Sequence, residues 1–262
     1  ALLTLPSHAL KVILTTRIHP RRLSLVEPVH QVYLPLDQGL VSPFAENILC
    51  EMDKDGRIGL RDAPQELLSE ARERTQGNPR ALEHLYAILA TDREASLEQI
   101  LSNTSELMPS EVVDVLVGEA FNRLDRPAQL VMQALSVYGH PVTATAINYL
   151  LVPYQPAIDS APVLKRLVNR QFARSDAGRY YLHQVDREYA LGRIPPGEPS
   201  DIEPSGSPPF SLVALWDRAA DYFEQVRLPR AQWKKLDDLE AQLLQIELRC
   251  AAGDHDTAAS VL

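Results

Sequence analysis

Cysteine is scarce in this chain of 262 residues. Cys50 and Cys250, about 200 positions apart, supply neither a disulfide framework nor a cysteine-rich zinc site. Long apolar runs are missing too: none approaches the roughly 18–20 residues that a bilayer span needs. No basic segment followed by an apolar stretch marks a signal peptide. Positive charge is in deficit, with 26 Lys and Arg against 35 Asp and Glu and a net charge of −9. That balance excludes a whole-chain basic footprint for nucleic acid. The sequence has no Gly-x-Ser-x-Gly and no Ser-His-Asp signature, and its seven histidines show no paired spacing for zinc. His30, His84, His140 and His183 are scattered, and a scaffold role is the plain reading of each. The first residue is Ala rather than Met, which suggests a fragment or a processed product. The cytoplasm is the expected location, and no membrane partner is expected.

What is present is a folded composition, 45% hydrophobic and 23% charged. Lys11-Val-Ile-Leu-Thr-Thr-Arg17 reads as a buried parallel strand with a polar tip. Gln31-Val-Tyr-Leu-Pro35 reads as an edge strand that Pro35 ends. From Ser42 to about Ser102 the pattern is helical. Ser42-Pro43 is expected as N-cap and first-turn proline of one helix, and Asp62 to Glu66 opens a second. That second helix stops at Gly77-Asn78-Pro79, where Pro79 begins a third. Helices are expected at 111–124, 127–138, 143–151 and 157–169. A hairpin follows, with 171–174 and 179–182 flanking the turn Ser175-Asp-Ala-Gly178. Six prolines between Ile194 and Phe210 describe an extended, exposed linker. The remainder is helical, and Gly253 with Ala258 resembles the turn of a tetratricopeptide repeat (TPR).

In order and spacing, these pieces resemble the signalling NTPases called STAND, of which NB-ARC proteins are the best-known branch. Three motifs carry the resemblance. The apolar strand ending in Thr15-Thr16-Arg17 is similar to a sensor-1 strand, Gly77-Asn78-Pro79 to a Gly-x-Pro motif, and Tyr181-Leu182-His183-Gln184 to a Met-His-Asp motif. The resemblance implies that Arg17 reads the terminal phosphate, Pro79 packs on adenine and His183 contacts the β-phosphate of ADP. Leu182 stands for Met and Gln184 for Asp, so the second departure removes a carboxylate from the implied latch. The implied fold is mainly α with small β. It comprises a remnant of an α/β P-loop core (1–40), a helical domain (41–105), a winged helix (106–192), a Pro-rich linker (193–210) and the start of a TPR-like α-solenoid (211–262). The implied function is the regulatory arm of an ATP/ADP switch that couples nucleotide state to domain rearrangement and homo-oligomerisation. Its implied partners are nucleotide, an upstream P-loop domain and a trigger bound by the TPR region.

No Gly-x-x-x-x-Gly-Lys-Ser/Thr occurs, and no strand ends in the acidic pair of a Walker B; Asp37 after Pro35 is a superficial imitation. The main phosphate grip and the Mg²⁺ ligands are therefore outside this chain. ATPase activity is conceivable only with such a loop upstream, and no residue here is assigned a catalytic role. Glu51 to Asp62 imitates a calcium loop but has Glu at its first position and the short Asp at its twelfth. The main alternative function is a DNA-binding winged helix, with Lys165, Arg166, Arg170, Arg174 and Arg179 around its helix and wing. Residues 106–192 nevertheless hold nine acidic and eight basic side chains, whereas phosphate contacts need concentrated positive charge. A non-catalytic TPR scaffold is the third possibility.

Overall fold

The computed structural model describes residues 13, 32, 34, 39–202 and 207–261. Residues 1–38 and 39–262 form separate units. Arg17 and most of both expected N-terminal strands lie outside the described residues. The three described residues of that segment differ from the expectation: Ile13, Val32 and Leu34 are exposed and carry no strand.

The second unit is mainly helical with one small hairpin. Its first layer consists of α1 (Phe44–Met52), α2 (Gln65–Thr75), α3 (Pro79–Thr91) and α4 (Leu97–Asn103). Helix α1 starts one residue later than the Ser-Pro pattern predicts: Pro43 is itself the N-cap, and Ser42 stands too early to cap. Helix α4 was not singled out in the sequence, although its signal is there. Ser96 Oγ accepts from Gln99 N at 3.3 Å, and Gln99 Oε1 accepts from Ser96 N at 3.4 Å, a reciprocal capping box.

A second group of elements follows: α5 (Pro109–Asn122), α6 (Arg126–Tyr138), α7 (Ala144–Leu151), α8 (Ser160–Asn169), β1 (Arg174–Asp176), β2 (Arg179–Tyr181) and α9 (Gln184–Leu191). Helix α6 is surrounded, with every residue from Leu130 to Tyr138 buried; α7, α8 and α9 all pack on it. Asp125 caps its start, accepting from Ala128 N at 3.0 Å, and Gly139 ends it in a left-handed conformation. The hairpin is tighter than expected. Its turn is only Ala177-Gly178, both at positive φ, as a two-residue type I′ connection requires. Phe172 and Ala173 are core residues rather than strand. Val142 pairs with Tyr180 through both backbone hydrogen bonds, adding a third, one-residue rung to the hairpin.

The proline-rich segment is exposed along much of its length but pinned at both ends. Ile194 is buried, and the amides of Leu212 and Val213 donate to the carbonyls of Pro195 and Pro196. Asp201 accepts from Ser211 Oγ at 2.7 Å, and Tyr154 donates to the Pro209 carbonyl at 2.9 Å. After it come α10 (Leu212–Val226), α11 (Glu240–Ala252) and α12 (His255–Ser260). Helix α10 lies on α6 and α7 through an aromatic cluster: Tyr138 meets Tyr222 and Phe223 edge-on. One continuous apolar core runs from α1 to α11.

Among the described residues, no helix is long and apolar enough to cross a membrane.

Candidate functional site

Two helix N-termini carry the residues singled out by sequence. The first is that of α3. Helix α2 ends on Gln76 in a left-handed conformation, and Gly77 follows at φ +63. The Leu40 amide donates to the Gly77 carbonyl at 2.7 Å. A Cβ on Gly77 would stand 2.7 Å from Leu40 N and still closer to its carbonyl. Close backbone approach and positive φ therefore both demand glycine here. Asn78 caps α3, its Oδ1 accepting from the amides of Arg80 (2.9 Å) and Ala81 (3.2 Å). Pro79 occupies the first helical position, where its missing N–H costs nothing, and its ring is exposed.

The second is that of α9. His183 is its N-cap and accepts from the Val185 amide through Nδ1 at 3.4 Å. The residue is exposed. Partial burial pushes its pKa down, and the Arg80 charge pushes the same way against Asp186 and Glu83. The imidazole is therefore neutral near pH 7, with Nδ1 accepting and Nε2 left to donate.

A buried charge cluster joins the two helices. Arg80 donates to Asp186 Oδ2 from Nε at 2.9 Å and from Nη2 at 2.5 Å. Its Nη1 donates to the Gln171 carbonyl at 2.9 Å and to Glu83 at 2.5 Å. Glu83 also receives Arg174 of β1, which in addition reaches the Gln171 side chain. Side-chain exposure is 6% for Arg80 and 1% for Asp186. Burial alone would raise the Asp186 carboxyl, but His84 and Arg80 together hold it below its usual range. His84, equally buried, stands 3.2 Å from Asp186 Oδ1 without aligning for a hydrogen bond. Burial pushes its pKa down, so it stays neutral beside the ion pair. Removing one partner of such a buried pair costs about 3–5 kcal/mol.

Pro79 and His183 thus sit at the starts of two helices locked by Arg80 and Asp186, each close in sequence to its expected residue. Arg17 lies outside the described residues. Arg80, Glu83 and Asp186 carry no motif in the sequence, and His84, expected in a scaffold role, is buried beside them. A signal existed: Arg80 and His84, four apart, fall on the apolar stripe of α3 with Ala81, Leu85 and Ile88, where a cation needs a buried acid.

The other candidates are spoken for. In the calcium-like loop, Asp53 is buried and accepts from the amides of Ile58 (3.1 Å) and Leu60 (2.9 Å), so it organises the loop's backbone. Among the described residues, no group of three or more His, Cys, Asp or Glu is placed to hold a metal ion. Of the five cations around α8 and the hairpin, Arg166 pairs with Asp125 (2.6 Å), Arg179 with Glu240 (3.0 Å) and Arg174 with Glu83.

No family model matches the chain, and no curated protein is similar to it.

Proposed function

We propose that residues 39–262 are the moving arm of a nucleotide-gated signalling switch of the STAND type. The observation that carries this is the Arg80–Asp186 pair, because it couples the helix that begins with Gly77-Asn78-Pro79 to the helix that begins with His183. An exposed pyrrolidine ring suits a flat adenine face, and a neutral imidazole with a free Nε2–H suits a phosphate oxygen. The order α6, Val142 rung, α7, α8, β1, β2 supports a winged helix over 106–192, with 41–105 as the helical domain before it. The packing of α11 on α10 and of α12 on α11, with left-handed Gly253 between the last two and Asp254 capping α12, supports a TPR-like start over 211–262. In this account Asp186 takes over the role of the carboxylate that Gln184 lacks, two residues further along α9.

The switch logic is differential affinity: ADP and ATP move the arm only by as much as they prefer different arrangements of it. Mg²⁺, the phosphate loop and any hydrolysis belong to an upstream P-loop domain, and the trigger to the TPR region. Homo-oligomerisation would follow release of the arm.

A DNA-reading winged helix is disfavoured by the three arginines already paired with carboxylates, since phosphate contacts would have to displace those partners. Amide NMR of the 262-residue chain separates the two. Addition of ADP should shift Asn78–Ala81 and His183–Val185 with a Kd no tighter than about 1 mM, the main phosphate grip being elsewhere. Random duplex at low salt should leave 160–181 unmoved. Shifts confined to 160–181 on adding duplex, with none from ADP, would favour the DNA reading and refute the switch.

A further inference from the structure

Resting on the nucleotide assignment above, we infer that Arg80 is a positioning residue. Through Asp186 and the Gln171 carbonyl, its guanidinium sets α9, and with it the His183 cap, against α3. Movement of the cap then requires this one guanidinium to change partners.

Hydrogen bonds close a ring through Arg80, Glu83, Arg174 and Gln171, and Asp186 is attached to it through Arg80 alone. Arg80 and Glu83 come from α3, Asp186 from α9, Gln171 from the corner between α8 and β1, and Arg174 from β1. Arg80 reaches 106 positions along the chain to Asp186 and 91 to Gln171. The corner it grips is held in an unfavourable conformation: Gln171 is a non-glycine residue at φ +65, a state that persists only where its surroundings over-determine it. They do so here. Phe172 and Ala173 are fixed in the core on one side, Arg80 holds the Gln171 carbonyl and Arg174 holds its side chain. A fork of planar N–H donors is required to hold the Asp186 oxygen and two other acceptors at once; a lysine ammonium of similar charge cannot span them. The second carboxylate oxygen, Asp186 Oδ1, has no aligned donor although the residue is only 1% exposed. Both aligned donors to Asp186 therefore come from Arg80, while α9 also packs on α6 and Arg187 donates to the Ser136 carbonyl at 3.1 Å.

Hydrogen exchange on the whole chain tests this, first without nucleotide and then with millimolar ADP. Arg80→Lys keeps the charge and removes the fork, and Asp186→Asn keeps the shape and removes the charge. In both, exchange at the Val185 and Arg187 amides, which His183 holds through Nδ1 and its carbonyl, should rise at least ~10-fold, the order expected when one buried charge-assisted contact is lost. Amides of α6 should rise less than those of α9, by the loss of global stability alone. Gln171→Gly keeps the carbonyl and relieves the backbone, so α9 should exchange as in wild type. Unchanged α9 exchange in both Arg80→Lys and Asp186→Asn would overturn the inference. So would an equal rise across α3, α6 and α9, because Arg80 would then support only global stability. The ADP arm reports separately on the nucleotide assignment: protection at 78–81 should survive in Arg80→Lys while that at 183–185 is lost. ADP protection at neither place would remove that assignment and leave the exchange result standing as a coupling of α3 to α9.

Discussion

At the scale of single residues, glycines at positive φ separate two kinds of demand. Gly253, which ends α11 at φ +85, has open space where a Cβ would project, so only its backbone conformation resists substitution. Gly77 faces the same conformational cost and the Leu40 backbone as well. Gly253→Ala should therefore cost about 1 kcal/mol. Gly77→Ala should cost at least about 2–3 kcal/mol more, a loss of several degrees in Tm. Equal Tm values for the two variants would show that the approach of Leu40 to the Gly77 turn is not tight. His183 carries a second residue-level prediction. Its ring should titrate below the ordinary histidine value, because burial and Arg80 both disfavour the charged form; Arg80→Ala should move the midpoint upward. A proton NMR titration of the ring reads this directly.

At the scale of elements, α10 and α11 are joined by a costly charge cluster. Arg249 pairs with Asp217 and Asp221, with Glu224 and Asp254 nearby. Burial pushes Asp217 up to about 6 despite the arginine, with Asp221 adding to the rise. A carboxyl with a raised folded pKa binds its proton more readily in the folded state. Its stabilising contribution is thus complete below the unfolded value near 3.9 and is lost as pH rises through about 6. Over that window the Tm of wild type should fall relative to Asp217→Asn as pH increases. Parallel Tm curves between pH 4 and 7 would contradict the burial-dominated account. The docking of α10 on α6 and α7 is, by contrast, apolar and aromatic, through Tyr138, Tyr222 and Phe223. Phe223→Ala should cost about 3–5 kcal/mol, read as a lower midpoint in urea unfolding.

Element boundaries were legible where local chemistry decides them. Gly77-Asn78-Pro79 marks a helix start at the sequence level, and the structure begins α3 at Pro79; α6 ends at Tyr138 as expected and begins one residue early, at Arg126. The hairpin was legible as a hairpin but not in register, because Phe172 and Ala173 have strand-like composition yet are claimed by the core. The proline-rich segment is exposed along much of its length, as its composition predicts, but composition reports backbone stiffness and not the two amides of α10 that anchor Pro195 and Pro196. Pro79 and His183 were visible through short motifs. Arg80 and Asp186 were not, because a pairing across 106 positions has no local signature.

At the scale of the whole second unit, one apolar core extends from α1 to α11, and a buried ion pair stands at the junction of α3 and α9. Apolar packing is indifferent to small rearrangements, whereas a buried charge left without its partner is penalised heavily. In the proposed switch, that contrast assigns to this junction the bias that a nucleotide would exert. The most direct measurement is photolabelling of the chain with 8-azido-ADP followed by peptide mapping. Label should fall on the peptide containing Asn78, Pro79 and Arg80 and should drop several-fold in His183→Ala, because base and phosphate would be held by the two helix starts together. Label at the 52–58 loop or on α8, or label at Pro79 that is insensitive to His183→Ala, would contradict a shared site.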